Sequence, residues 1–129
     1  GKMQRALDMC ISWSKQRHTF GKPLAERQAI QWKLVDMYTD IQSLRALTYQ
    51  MAARYDQGED IRVEAGLIKL TSMDWGARCL DHGIQIHGAM GESLELPLTL
   101  FYRYLRHGQI GGGTSEIQRM QIARKLLKD

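Results

Sequence analysis

Three consecutive glycines, Gly111, Gly112 and Gly113, stand directly before the hydroxyls of Thr114 and Ser115. Glycine has no Cβ to shield the backbone, and a helix opening at the hydroxyls would leave unpaired N–H groups at its positive end. Such a segment suits an anion or a carbonyl oxygen; by itself it reads first as a flexible turn. The four histidines offer less. A dinuclear metal bundle needs Glu-x-x-His pairs on facing helices, and His18, His82, His87 and His107 have no such partner in the sequence, so each alone reads as a structural or surface residue. There is no Gly-x-Ser-x-Gly nucleophile turn, no Walker loop and no dinucleotide fingerprint. Neither a metal ligand nor a catalytic side chain is assigned.

The elements that must hold these residues are helices. Gly and Pro punctuate the chain and no stretch sustains period-two alternation. The expected fold is all-α, an antiparallel four-helix bundle with an additional short helix, with helices near 1–17, 28–56, 61–87, 97–107 and 114–127. The first places Met3, Ala6, Leu7, Cys10, Ile11 and Trp13 on one face, and stops before His18-Thr19-Phe20-Gly21-Lys22-Pro23. In the second, Ile30, Leu34, Met37, Ile41, Leu44, Thr48, Met51 and Tyr55 repeat at alternating steps of four and three, the pattern of a bundle seam. Asp60 is the expected cap of the third. That helix carries two apolar stripes, Ala65, Ile68, Trp75, Cys79 and Ile86 beside Gly66, Leu70, Met73, Ala77, Leu80 and Ile84, so it is expected at the centre. Pro97 opens the short helix. In the last, Ser115 and Gln118 have capping-box spacing, and Ile117, Met120, Ala123 and Leu127 are the expected inner face.

With 129 residues, 43% hydrophobic and 25% charged, the chain is long enough for one core without staples. No apolar run approaches the roughly eighteen residues of a membrane span. The excess of 18 Lys+Arg over 14 Asp+Glu is spread over helix faces, a pattern of solvated surface that gives no nucleic-acid stripe. A phosphate-rich cofactor or substrate would use the same bias. Cys10 and Cys79 fall in apolar stripes, where thiols behave as small hydrophobes, and a reducing compartment is expected. The chain opens on Gly1 with no secretory leader, and further sequence is expected upstream.

Read together, the segments acquire a pattern. Arg17-x-Thr19-Phe20-Gly21-Lys22 with Gln28, then Gln85-Ile86-His87-Gly88-x-x-Gly91-x-x-x-Glu95-x-Pro97, then Tyr102-Arg103, then Gly113-Thr114-Ser115-Glu116-Ile117-Gln118-Arg119 run in order along essentially the whole chain. The set resembles the C-terminal domain of the acyl-CoA dehydrogenase family. The resemblance implies that residues 1–129 form the helical domain that completes an FAD site and the subunit interface of a larger enzyme with N-terminal helical and β domains. By that likeness Arg17 holds the FAD pyrophosphate of the neighbouring subunit, with Thr19, Phe20 and Gln28 beside it. A guanidinium suits phosphate. Gln85, Ile86, His87, Gly88 and Ala89 approach the adenosine half of the same cofactor, Thr114 and Glu116 touch the subunit's own FAD, and Gly112 and Gly113 face the substrate thioester.

The implied reaction is α,β-desaturation of an acyl-CoA, with an electron-transferring flavoprotein as acceptor, in a homodimer or homotetramer that is cytoplasmic in bacteria or in the mitochondrial matrix of eukaryotes. The domain by itself is expected to be inactive. The sequence departs from the family at Gly112, where many members carry the glutamate that removes the α-proton; other members keep that base on the helix preceding or opening this domain. Further departures are Ala89 for a second glycine, Glu92 for an aromatic and Tyr104 for an acid. Two alternatives stay open: a non-catalytic subunit of the same family, and a helical dimerisation module.

Overall fold

The computed structural model describes residues 1–128. Six α-helices follow one another: α1 Lys2–Gln16, α2 Gln28–Asp56, α3 Arg62–His87, α4 Ala89–Glu92, α5 Leu98–Gly108 and α6 Ser115–Leu126. The expected boundaries hold to within a residue or two, and α2, at 29 residues and about 43 Å, runs unbroken. Two features were not foreseen. His18–Thr19 (β1) and Lys22–Pro23 (β2) pair as a minimal antiparallel hairpin, and α4 is a single turn after Gly88. The hairpin is an elaborated turn and leaves the all-α class intact.

The third helix is the hub, packed against α1, α2, α5 and α6. Its glycines explain how so many neighbours fit. A Cβ on Gly76 would stand 2.8 Å from a Leu105 methyl of α5, and one on Gly83 would meet Leu98, Cys10 and Ala6 at 3.5–3.9 Å. The core is Met3, Ala6, Leu7 and Cys10 of α1, Met37 and Ile41 of α2, Cys79, Leu80 and Ile86 of α3, and Leu98 and Leu105 of α5. Both thiols are buried and pushed up to about 12 by desolvation. A half-buried ion pair clamps α2 to α3, the Arg78 guanidinium reaching both oxygens of the nearly buried Asp40 at 2.6 and 2.8 Å.

Several local expectations are corrected. The α2 seam is buried at Met37, Ile41 and Met51, but Thr48 is exposed and bonds back to the Leu44 carbonyl, and Tyr55 is 67% exposed. A straight helix drifts about 20° per heptad from a 3.5-residue repeat, so a seam without supercoil leaves the interface. Asp60 does not cap α3: Ile61 holds the cap position, and Asp60 instead accepts the Arg62 N–H at 3.2 Å. The α6 cap is Thr114, which accepts from the Ile117 N–H, one residue before the expected Ser115. The inner face of α6 is Ser115, Gln118 and Ile122; Ile117, Met120, Ala123 and Leu127 face outward. Gly66 lies so close that its Cβ would stand 2.8 Å from the Gln118 carboxamide oxygen. A polar Gln118 thus takes the inner position that periodicity assigned to apolar residues.

Candidate cofactor and substrate sites

At the end of α1 the chain turns sharply. Arg17 leaves helical geometry, its N–H donating to the Trp13 carbonyl at 2.8 Å, and its own carbonyl accepts from Leu24 N–H at 2.8 Å. The hairpin tip is Phe20-Gly21, both at positive φ (49° and 75°), as a two-residue turn matched to strand twist requires. Arg27, the N-cap residue of α2, donates to the Thr19 carbonyl at 2.7 Å and ties the hairpin down. Across from it, α3 ends at Gly88, with φ 61° and ψ −140°, a conformation that only glycine adopts readily.

Between these two chain ends lies a cleft of about 330 Å³, lined by Arg17, Thr19, Leu24 and Trp13 on one wall and by residues 85–90 on the other. Residues distant in sequence, Thr19 and Gln85 being 66 positions apart, thus share one wall-to-wall space. His87 is buried and stacks on Trp13, ring centroids 5.2 Å apart. Its Nδ1–H donates to the Gly83 carbonyl at 2.8 Å, which leaves Nε2 as the acceptor of a neutral ring, and burial holds the imidazole below its ordinary value. Ile86 is 3% exposed and is mainly core. The Arg17 side chain is exposed and takes part in no ion pair or hydrogen bond among the described residues. A free guanidinium, a hydroxyl and a carboxamide around one cleft are a donor set that fits a phosphate-and-ribose group. Phe20, 98% exposed at the hairpin tip, and Gln28, exposed at the start of α2, lie outside the cleft.

The second cluster is at the other end of α3. Lys69 and His87 are eighteen residues apart on that helix, or roughly 27 Å. Here the Lys69 ammonium donates to three successive carbonyls, Gly111 at 2.6 Å and Gly112 and Gly113 at 2.5 Å each. Gly112 and Gly113 have φ of 64° and 88°. The amides of Gly112, Gly113 and Thr114 donate to no backbone carbonyl among the described residues, whereas Gly111 N–H is bonded to His107 and Ser115 N–H to Gln109. Beside the loop, a polar cleft of about 220 Å³ is lined by Thr114, Glu116, Arg106, Arg119, Gln109 and Asp74 among others. Asp74 accepts from Arg119 at 3.0 Å and from Gln109 at 3.1 Å, fixing both side chains. Glu116 is held below its usual range, first by its own backbone N–H and then by the Thr114 hydroxyl.

Thr114 and Glu116 therefore share one cleft and Gly112 and Gly113 adjoin it. Sequence reasoning missed Lys69, Asp74, Gln109 and Arg106 as parts of this site. The available signal was Lys69 itself, a lysine flanked by Ile68 and Leu70 in a helix apolar on two sides. Tyr104, where an acid was expected, receives the Lys2 ammonium at 3.7 Å from its ring centroid, a cation–π contact joining α1 to α5.

Comparison with known proteins gives a consistent result. The family described as acyl-CoA dehydrogenase, C-terminal domain, matches residues 1–127. The short-chain specific acyl-CoA dehydrogenase of Rattus norvegicus mitochondria is 38% identical over 128 residues, 99% of this chain and 31% of that protein. Butyryl-CoA dehydrogenase from Megasphaera elsdenii superposes with a TM-score of 0.94 at 35% identity, over 98% of this chain and 33% of that one. The FAD complex of PigA does so at 0.91 and 27% identity, over 96% and 32%. The chain spans about a third of the length of the curated relatives it matches.

Proposed function

The chain belongs to the acyl-CoA dehydrogenase family, whose C-terminal domain it carries, and from that membership we propose that it serves FAD-dependent α,β-desaturation of an acyl-CoA thioester within a larger protein having N-terminal helical and β domains. One observation carries the reading. Arg17 and Thr19 share a cleft with residues 85–89, while Gly112, Gly113, Thr114 and Glu116 gather at the far end of the same helix. Two clusters set apart along α3, with Lys69 and His87 separated by a helical rise of roughly 27 Å, suit a domain that contacts its own subunit's cofactor at one place and a neighbouring subunit's at the other.

In the first cluster Arg17 would hold the pyrophosphate, with Thr19 and Gln85 as polar partners and the backbone at Gly88 and Ala89 against the adenosine. Phe20 and Gln28, outside the cleft, would meet the cofactor only from the hairpin side. In the second, Thr114 and Glu116 would bind the subunit's own FAD. The flavin, when bound, supplies the hydride acceptor for the β-carbon. The protein's part in the chemistry is the stabilisation of negative charge on the thioester oxygen as the α-proton leaves, through the bare amides at Gly112 and Gly113. Gly112 has no side chain to act as base, so the carboxylate would come from outside these residues. An electron-transferring flavoprotein would take the electrons, in a homodimer or homotetramer; the compartment would be the cytoplasm of a bacterium or the mitochondrial matrix of a eukaryote.

Gly112 also motivates a second reading, a family member that binds the cofactor without desaturating. Flavin content and turnover of the full-length protein separate the two. Arg17→Ala should lower FAD affinity about ten- to a hundredfold, the loss of a charge-assisted contact of about 1.5–3 kcal/mol, while Gly112→Ala should retain its flavin. Equal flavin content in Arg17→Ala and wild type after gel filtration would remove Arg17 from the site. Flavin-loaded wild type with no acyl-CoA desaturation would favour the second reading.

A further inference from the structure

The glycine loop poses a question its own sequence cannot answer. Glycine populates positive and negative φ with similar ease, so the peptide planes of Gly111, Gly112 and Gly113 could turn their amides or their carbonyls outward at little cost. Only one orientation serves an anionic oxygen. Lys69 decides between them. Its three ammonium protons are directed at three successive carbonyls, which is the whole donor capacity of a lysine. It forms no ion pair with a carboxylate among the described residues. Gln118 supplements it from α6, its amide reaching the Gly113 carbonyl at 3.4 Å.

We propose that Lys69 is the positioning residue of this loop: by drawing the carbonyls of Gly111, Gly112 and Gly113 inward it turns the amides of Gly112 and Gly113 toward the acyl thioester oxygen, an inference that rests on the acyl-CoA reading above. Two physical effects act together. The first is geometric, because a peptide whose carbonyl is pinned on one side presents its N–H on the other. The second is electrostatic. A positive charge on the carbonyl end of a peptide polarises it and strengthens its N–H as a donor, so the cation favours negative charge on the thioester oxygen without touching it. Lys69 stands behind the loop and is not a catalytic residue. Its position in a rigid 26-residue helix gives the loop a fixed anchor.

The test uses full-length flavoprotein carrying Lys69→Met, which removes the charge and keeps an unbranched apolar stem. The probes are butyryl-CoA and S-butyl-CoA, a thioether without the carbonyl. The expected result is a loss of about 10²–10³ in turnover and about tenfold or more in butyryl-CoA affinity, with S-butyl-CoA binding and flavin content unchanged. Equal weakening of both probes would reveal a merely structural role and overturn the inference. Should Lys69→Met fail to fold, Lys69→Arg takes the same measurements, because a planar fork cannot converge on three carbonyls. If wild type binds neither this pair nor palmitoyl-CoA and S-hexadecyl-CoA, the acyl-CoA reading falls, and with it the orientation toward a thioester. Hydrogen exchange of the ligand-free loop then judges the clamp alone. The amides of Gly111 and Ser115, bonded to His107 and Gln109, should exchange about tenfold faster in Lys69→Met at unchanged Tm, and unchanged exchange would remove the clamp as well.

Discussion

Single residues in this domain are constrained for different reasons, and glycines show the contrast. Gly112 is needed for its backbone: with φ at 64°, a side chain costs about 1–2 kcal/mol, and its Cβ would touch only the Lys69 ammonium, at 3.4 Å. Gly91 is needed for space. A Cβ there would stand 2.5 Å from the Ile84 carbonyl oxygen and 2.8 Å from Ile84 Cα, and helix backbone cannot yield as a side-chain tip can. Gly91→Ala should therefore destabilise by about 3 kcal/mol, at the upper end of the overpacking range. It should also displace α4, and with it the wall of the Arg17 cleft. Thermal unfolding of the variant checks this, and a shift no larger than that of Gly112→Ala would mean that α4 moves freely.

Among the elements, α3 has the most to lose from protonation. His82 and His87 sit on its last turns, and burial lowers both below the ordinary 6.5, with Lys33 adding to the effect at His82 and the Gly83 carbonyl opposing it at His87. Both rings are thus neutral in the fold at a pH where the unfolded chain has begun to take up protons. The unfolded state binds more protons, so stability rises with pH through this range. Their contribution is fully present above 6.5 and is lost as the pH falls below it toward the folded-state values. Asp60, pulled down to about 2, and Glu64 and Glu116, also lowered, do not contribute to this window. Tm should fall between about pH 7 and pH 5.5, and the fall should shrink in His87→Gln. A flat Tm across that interval would show that burial of these rings has no energetic consequence.

At the scale of the molecule, the surface is unfinished. Trp32, Val35 and Tyr38 on α2 are 56–62% exposed, and Ile117, Met120 and Leu126 on α6, with Leu127 just after it, are 40–82% exposed. Contiguous apolar faces of that kind seldom stay bare. The isolated 129-residue chain should self-associate, and sedimentation giving a clean monomer would count against these faces as interfaces. The same exposure explains where periodicity succeeded and failed. The boundaries of α1, α2 and α3, the central place of α3 and the family were legible in the residues, because Gly, Pro and local apolar spacing act over short stretches of chain. Which apolar face of α6 turns inward was not, because an interface outside the domain leaves the same stripe in the sequence as a core does. The hairpin at His18–Pro23 was hidden for a related reason, since two residue pairs are too short for a period. Nor could spacing reveal that Lys69 reaches Gly111, Gly112 and Gly113, or that Arg17 faces Gln85–Ala89. A motif's residue types follow from local chemistry, but the partner of a side chain across more than forty residues is fixed only when helices pack and bring the two together.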